Sequence, residues 1–248
     1  MIDLHTHILP GIDDGSQSCG MTRQMLTEEE LQGVGVIVVT PHFYADKMSV
    51  DSFLKRREEA LKQTKEVLHI MEQEVPAHAD ELPRLLTGAE VYYFPGMGSA
   101  GALKELCIEG TKAILLEMPF EQWDESVCHD VKEIIEKQGL HVILAHTERY
   151  QEFQKDKKVW RKVLELPVTI QLNTGNFIRK SRLFHTDHKK KLCLQLMAER
   201  DNIILGSDCH NMSGRRPNMG PAKEAIEKQL GEQVFAASQQ KAKEVLNL

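Results

Sequence analysis

The sequence predicts an α/β protein built on a parallel sheet, closed or nearly closed as a (βα)7 barrel. Three observations carry this. Short apolar, β-branched runs recur seven times. They are apolar throughout instead of alternating, as strands buried on both faces require. Amphipathic helical stretches separate them, and seven such units in 248 residues fit a barrel better than two dinucleotide-binding halves. An open, doubly wound sheet is the alternative.

The predicted strands are MIDLHTH at the start, VIVVT (36–40), RLLTGAEVYYF (84–94), AILLEM (113–118), HVILAH (141–146), VTIQLN (168–173) and NIILGS (202–207). Helical patterning covers 18–32, 51–73, 124–138, 151–165, 187–200, 220–230 and 233–246. The polar stretch 73–83 and the Gly-, Pro- and Arg-rich stretch 213–221 read as surface loops, neither long enough for a linker. The whole of 1–248 is therefore expected to be one domain.

Composition narrows the function. A net charge of -6 argues against nucleic acid or an anionic membrane as the principal partner. No apolar run approaches the ~18 residues of a membrane span, and no basic start with an apolar core marks a signal peptide. A cytoplasmic enzyme is the expectation. Five scattered cysteines without CxxC pairing give neither a disulfide framework nor a zinc knuckle.

The strand ends hold the chemistry. The first carries His5 and His7, with Asp14 in the following loop; the second runs into His42. Glu90 and Glu117 lie on the third and fourth, His146 ends the fifth, Asn173 the sixth, and Asp208 and His210 follow the seventh. In parallel barrels and open α/β sheets alike, the carboxyl ends of the strands form the active face. Nine imidazole and carboxylate ligands thus converge, too many for one ion. They imply two or three divalent metals, and manganese, iron, zinc or cobalt all suit these donors. Carboxylates in apolar strands are costly without such a partner. Arg149, Arg215 and Arg216 flank the same mouth, and guanidinium groups suit phosphate capture. Metals beside arginines point to phosphate-ester hydrolysis, with a metal-bridging hydroxide as nucleophile.

The blocks MIDLHTHILPGIDDG, TPH (40–42), GAEVYY (88–93), LLEMPF (115–120), AHTERY (145–150), QLNTGN (171–176) and SDCHN followed by GRRPNM resemble the PHP (polymerase and histidinol phosphatase) superfamily. Within it they resemble the CpsB/CapC-type manganese-dependent bacterial tyrosine-protein phosphatases of capsule and exopolysaccharide systems. That resemblance implies a distorted (βα)7 barrel and a trinuclear site. It implies metal ligation by His5, His7, Asp14, His42, Glu90, Glu117, His146, Asp208 and His210, and phosphate binding by Arg149 and Arg215. The implied partner is a bacterial autophosphorylating tyrosine kinase bearing phosphotyrosine. Arg216 departs from the family pattern, standing where proline is usual. The alternatives are a PHP small-molecule phosphatase such as a histidinol-phosphatase, or a non-catalytic PHP binding module.

Two motifs compete. Gly96, Gly98 and Gly101 spell GxGxxG, but the next strand starts too soon for a dinucleotide-binding unit. Cys209 and Arg215 have the C-x5-R spacing of cysteine phosphatases. If Asp208 and His210 bind metal, however, alternation along the chain points Cys209 away from the site.

Overall fold

The computed structural model describes residues 1–74, 82–179 and 187–248. Most of the predicted 73–83 loop, with His78, and also His185 lie outside the described residues. Among the described residues there are nine strands: β1 (Ile2–Thr6), β2 (Val36–Val39), β3 (His42–Phe43), β4 (Arg84–Thr87), β5 (Glu90–Tyr92), β6 (Ala113–Glu117), β7 (His141–Leu144), β8 (Thr169–Asn173) and β9 (Ile203–Gly206). They form two parallel sheets, ordered β1-β2-β4 and β3-β5-β6-β7-β8-β9.

Nine strands reduce to the seven expected staves because two staves are broken. β2 and β3 are interrupted at Thr40–Pro41, where proline supplies no N–H to a ladder. β4 and β5 are interrupted at Gly88–Ala89. Backbone hydrogen bonds from Thr40 N to Thr6 O (2.9 Å), Gly88 N to Val39 O (2.9 Å) and Glu90 N to Pro41 O (3.0 Å) carry the pairing across both breaks. The first and last staves meet through an isolated bridge between Thr6 and Cys209. Asp208 N donates to His5 O (2.8 Å) and His7 N to Cys209 O (2.9 Å) along this seam. The architecture is a distorted (βα)7 barrel. The interruptions are its distortion.

Helices α1 (Cys19–Leu31), α2 (Val50–Glu74), α3 (Glu125–Glu136), α4 (Lys158–Glu165), the short α5 (Gly175–Ile178), α6 (His188–Glu199), α7 (Met219–Leu230) and α8 (Glu232–Leu246) cover the sheet. Ser18, Asp124 and Asp187 cap α1, α3 and α6 by accepting from first-turn N–H groups. Ile114 and Leu116 of β6 face a large apolar layer shared with Met25, Phe53, Trp160 and Leu196 of the helices. Alternate positions Val38, Leu115, Ile143 and Ile204 fill the opposite face, closed by Ala242 and Leu246 of α8. The strands are thus buried on both sides, as their unbroken apolarity predicts. Among the described residues, no helix is long and apolar enough to cross a membrane.

Three local features were not legible beforehand. α4 starts at Lys158, because 147–149 and 151–153 form separate 3-10 turns. α5 follows β8 directly. β1 changes register between Asp3 and Thr6, an irregularity that re-aims side chains beside a site.

Candidate metal centre

All nine predicted ligands meet at the carboxyl end of the barrel. β1 projects His5 and His7 so that their Nε2 atoms lie 3.1 Å apart. The Glu90 carboxylate, fully buried at the β5 start, forms the centre. Its Oε2 lies 3.2 Å from His5 Nε2, 3.2 Å from His7 Nε2 and 3.0 Å from His42 Nδ1. Its Oε1 meets His146 Nε2 at 2.8 Å. Glu117 lies 3.5 Å from His146 and 3.7 Å from His42. Asp14, mostly exposed on its loop, reaches within 3.5 Å of His42 and 3.4 Å of His210. Asp208 Oδ1 stands 3.6 Å from His5 and 3.5 Å from His7.

Polar atoms crowded this closely should be hydrogen-bonded, yet several are not. Glu90 Oε2, His42 Nδ1, His146 Nδ1 and His210 Nε2 are buried without a hydrogen-bond partner. A carboxylate oxygen close to three imidazole nitrogens, none of them in hydrogen-bonding geometry, is the arrangement of donors converging on shared cations. Three groups bring their ligand atoms within 4.8 Å of one another: His7, Asp14, His42 and His210; His5, His7 and Glu90; and His42, Glu90 and Glu117. His7, His42 and Glu90 each belong to two groups. The donor set therefore fits a small cluster of divalent ions bridged through shared ligands.

The electrostatics without ions show the same tension. Burial disfavours a charged His7, but Asp13 and Glu90 outweigh it and push its pKa up to about 10. Burial likewise opposes charge on His146, which Glu117 and Glu90 raise to about 9. His210 falls to about 4, through burial and then the neighbouring His7. Glu90 resists its burial and is held well below the usual carboxylate range, chiefly by His5 and His146. A cluster this acidic needs positive charge, which protons or metal ions can provide.

Backbone strain accompanies the site. His146 and Asp208 adopt φ of 28° and 53°, values uncommon outside glycine. His146 N donates to Gln171 Oε1 at 2.6 Å, fixing its turn.

Two positioning residues went unread in the sequence. The buried carboxylate of Asp13 accepts from His7 Nδ1 at 2.7 Å, Gly15 N at 2.9 Å and His42 N at 3.0 Å. His7 then presents Nε2 to the centre, the usual outer-shell role of a carboxylate. The doubled aspartate was the available signal. Gln171 Oε1 accepts from His5 Nδ1 at 3.0 Å, while its amide donates to Asn173 Oδ1 at 2.9 Å. Asn173 Nδ2 in turn donates to Asp208 Oδ2 at 2.6 Å. A glutamine inside an apolar strand is a visible anomaly, but its partners are not.

The arginines separate. Arg215 reaches Asp208 Oδ1 at 2.5 Å, whereas Arg216 turns outward to Glu28 at 3.0 Å. Arg149 lies 3.9 Å from Asp208 Oδ2, its guanidinium over the Phe120 ring at 4.6 Å. Arg149 and Arg215 thus approach opposite oxygens of one carboxylate.

Both competing motifs have structural explanations. Cys209 is fully buried, its thiol 3.9 Å from Glu29 and its pKa driven well above the ordinary thiol value by burial. It provides no thiolate at the mouth. The Gly96 and Gly98 amides donate to Asp130 of α3 at 3.0 and 3.4 Å, so the protein's own carboxylate occupies that turn.

Comparison with known proteins follows the same lines. The family model for capsular polysaccharide synthesis, CpsB/CapC, matches residues 1–247. The tyrosine-protein phosphatase CpsB of Streptococcus pneumoniae is 29% identical over 240 residues, covering 93% of this chain and 91% of its own. YwqE of Bacillus subtilis strain 168, also a tyrosine-protein phosphatase, is 25% identical over 240 residues, covering 94% and 87%. Among solved structures, one described with YwqE and the pneumococcal CpsB as unique metal-dependent tyrosine phosphatases superposes with a TM-score of 0.79. Its identity is 23%, over 100% of this chain and 94% of that one. The phosphotriesterase homology protein of Escherichia coli, with phosphate in its active site, gives 0.50 at 11% identity over 96% and 94%. Both superpositions support the barrel.

Proposed function

The chain belongs to the CpsB/CapC family of capsular polysaccharide synthesis proteins, and from that premise we propose that it is a metal-dependent protein-tyrosine phosphatase. Its substrate is phosphotyrosine on a partner protein, a bacterial autophosphorylating tyrosine kinase of a capsule or exopolysaccharide system. We read 1–248 as one catalytic domain working in the cytoplasm, where its five unpaired cysteines stay reduced.

One observation carries the reading: Glu90 Oε2 lies among three imidazole nitrogens without hydrogen-bonding any of them, beside two inward arginines. His5, His7, Asp14, His42, Glu90, Glu117, His146, Asp208 and His210 would hold two or three divalent ions, manganese first. Such ions would supply Lewis acidity to the phosphoryl oxygens and a nucleophile at neutral pH. Arg149 and Arg215 would bind the remaining phosphoryl oxygens, turning from Asp208 to the more highly charged ester. Phe120 keeps Arg149 extended over the mouth through its ring face. Because phenolate leaves readily, the step asks little of a general acid.

The test is chelation followed by Mn²⁺ return, assayed on aryl phosphate, a phosphotyrosyl peptide and histidinol phosphate. Activity on the first two should vanish and return, and Cys209→Ser should retain it. Activity that survives chelation but is lost in Cys209→Ser would sink the metal mechanism. Turnover of histidinol phosphate alone would reassign the substrate.

A further inference from the structure

The molecule's charge is divided unequally. Residues 149–200 contain thirteen Lys or Arg and five Asp or Glu, a net of +8; the remaining chain has eighteen and thirty-two, a net of -14. Lys180 and Arg182 lie outside the described residues. The others belong to the sector formed by the 3-10 turns after β7, α4, β8, α5 and α6. That sector begins at Arg149, so the positive side of the molecule adjoins the phosphate-binding mouth.

A cavity of about 350 Å³ opens in this sector between the turns and α6. Glu148, Gln151, Lys157, Lys189, Lys191 and Gln195 are among its lining residues. Lys189 is paired with Glu152 at 2.8 Å. Lys157 and Lys191 make no ion pair among the described residues. The turn 147–149 separates cavity from mouth: Glu148 lines the cavity, and the next residue, Arg149, reaches Asp208.

We propose that this sector is a docking surface for the acidic sequence flanking the substrate phosphotyrosine, with an acidic side chain seated between Lys157 and Lys191. This rests on the phosphatase reading and deepens it. An acidic protein segment fits better than other polyanions because the positive area is bounded. A nucleic-acid duplex or an anionic membrane extends past it onto the rest of the molecule, whose sequence is net acidic and repels it. A short segment stays within the sector and orients its phosphotyrosine toward Arg149. Charge complementarity of this kind acts mainly on encounter and specificity, and salt screens it.

The experiment uses the full chain with Mn²⁺ and the variant Lys157→Glu/Lys191→Glu. Substrates are an acidic phosphotyrosyl peptide, the same peptide with neutral flanks, and p-nitrophenyl phosphate. At low salt the wild type should prefer the acidic peptide. The variant should raise its KM about tenfold and leave the other two within about twofold, and salt should erase the difference. Equal losses on all three substrates would overturn the proposal, as would a wild type indifferent to the flanks. So would duplex DNA or phosphatidylserine vesicles bound by the wild type and lost by the variant while peptide KM stays fixed. If the wild type turns over no aryl phosphate, the phosphatase reading fails by itself. Fluorescence anisotropy of the acidic peptide then decides docking: weakened binding in the variant supports it, and unchanged binding ends it.

Discussion

At the scale of single residues, the centre depends on side chains that would never touch a metal. Gln171 accepts from His5 Nδ1, which turns Nε2 toward the centre, and steers Asp208 through Asn173. Gln171→Met should therefore weaken Mn²⁺ binding about 10- to 100-fold. Gln171→Glu keeps an acceptor for His5 Nδ1 and should recover much of that loss. Titration calorimetry on folded protein would check this, and equal affinity in wild type and Gln171→Met would refute the role. Asp13→Ala should likewise cost metal by freeing His7 to rotate, with bound Mn²⁺ measured by elemental analysis. The nine proposed ligands could be singled out in the sequence because each stands on one of the apolar strands or in the loop that follows one. Asp13 and Gln171 could not, since their roles reside in hydrogen bonds between separate strands and loops.

Among elements, the seam between β1 and β9 matters most. Gly206 is pressed against β1: a Cβ there would lie 2.5 Å from His5 Cβ and 3.1 Å from His5 N. No ordinary side chain fits without moving the strand that holds the centre. Gly206→Ala should cost about 1–3 kcal/mol of stability and reduce Mn²⁺ occupancy together with it, measurable by denaturant unfolding and metal analysis. Retained stability and occupancy would mean the seam yields easily. The sequence showed every stave, because apolar runs and helical periodicity report burial directly. It hid the breaks at Thr40–Pro41 and Gly88–Ala89, where pairing continues through backbone hydrogen bonds that depend on neighbouring staves. It also merged the 3-10 turns with α4, because short turns carry no periodicity of their own.

For the molecule as a whole, one buried acid pair couples folding to pH. Asp3 of β1 and Glu29 of α1 face each other in the core with Ser207 and Cys209, and Asp3 Oδ2 and Glu29 Oε2 have no donor. Burial raises both pKa values, Glu29 well above its ordinary one; Asp3 raises Glu29 further, while a hydrogen bond with Glu29 partly offsets the rise at Asp3. The folded pair therefore holds a proton that the unfolded chain releases above about pH 4.5. With more protons bound when folded, stability is fullest below the unfolded pKa and declines as pH rises toward the raised folded value. Glu29→Gln removes one of these titrations and leaves an amide to donate to Asp3. Its melting temperature should fall less steeply than wild type between about pH 5 and pH 8. Parallel slopes by calorimetry would show that the pair does not titrate in this range.

The closure through Thr6 and Cys209 joins residues some two hundred positions apart. Such a contact forms late in folding, since a long loop must close before anything rewards it. His5, His7, Asp208 and His210 stand on the two sides of this junction, so ions bound between them would act as a removable cross-link between the chain's beginning and its end. Metal loading then becomes a folding event as much as a catalytic one. Amide exchange along Ile2–Thr6 and Ile203–Gly206 should quicken on chelation while β6 and β7, deep in the wall, remain protected.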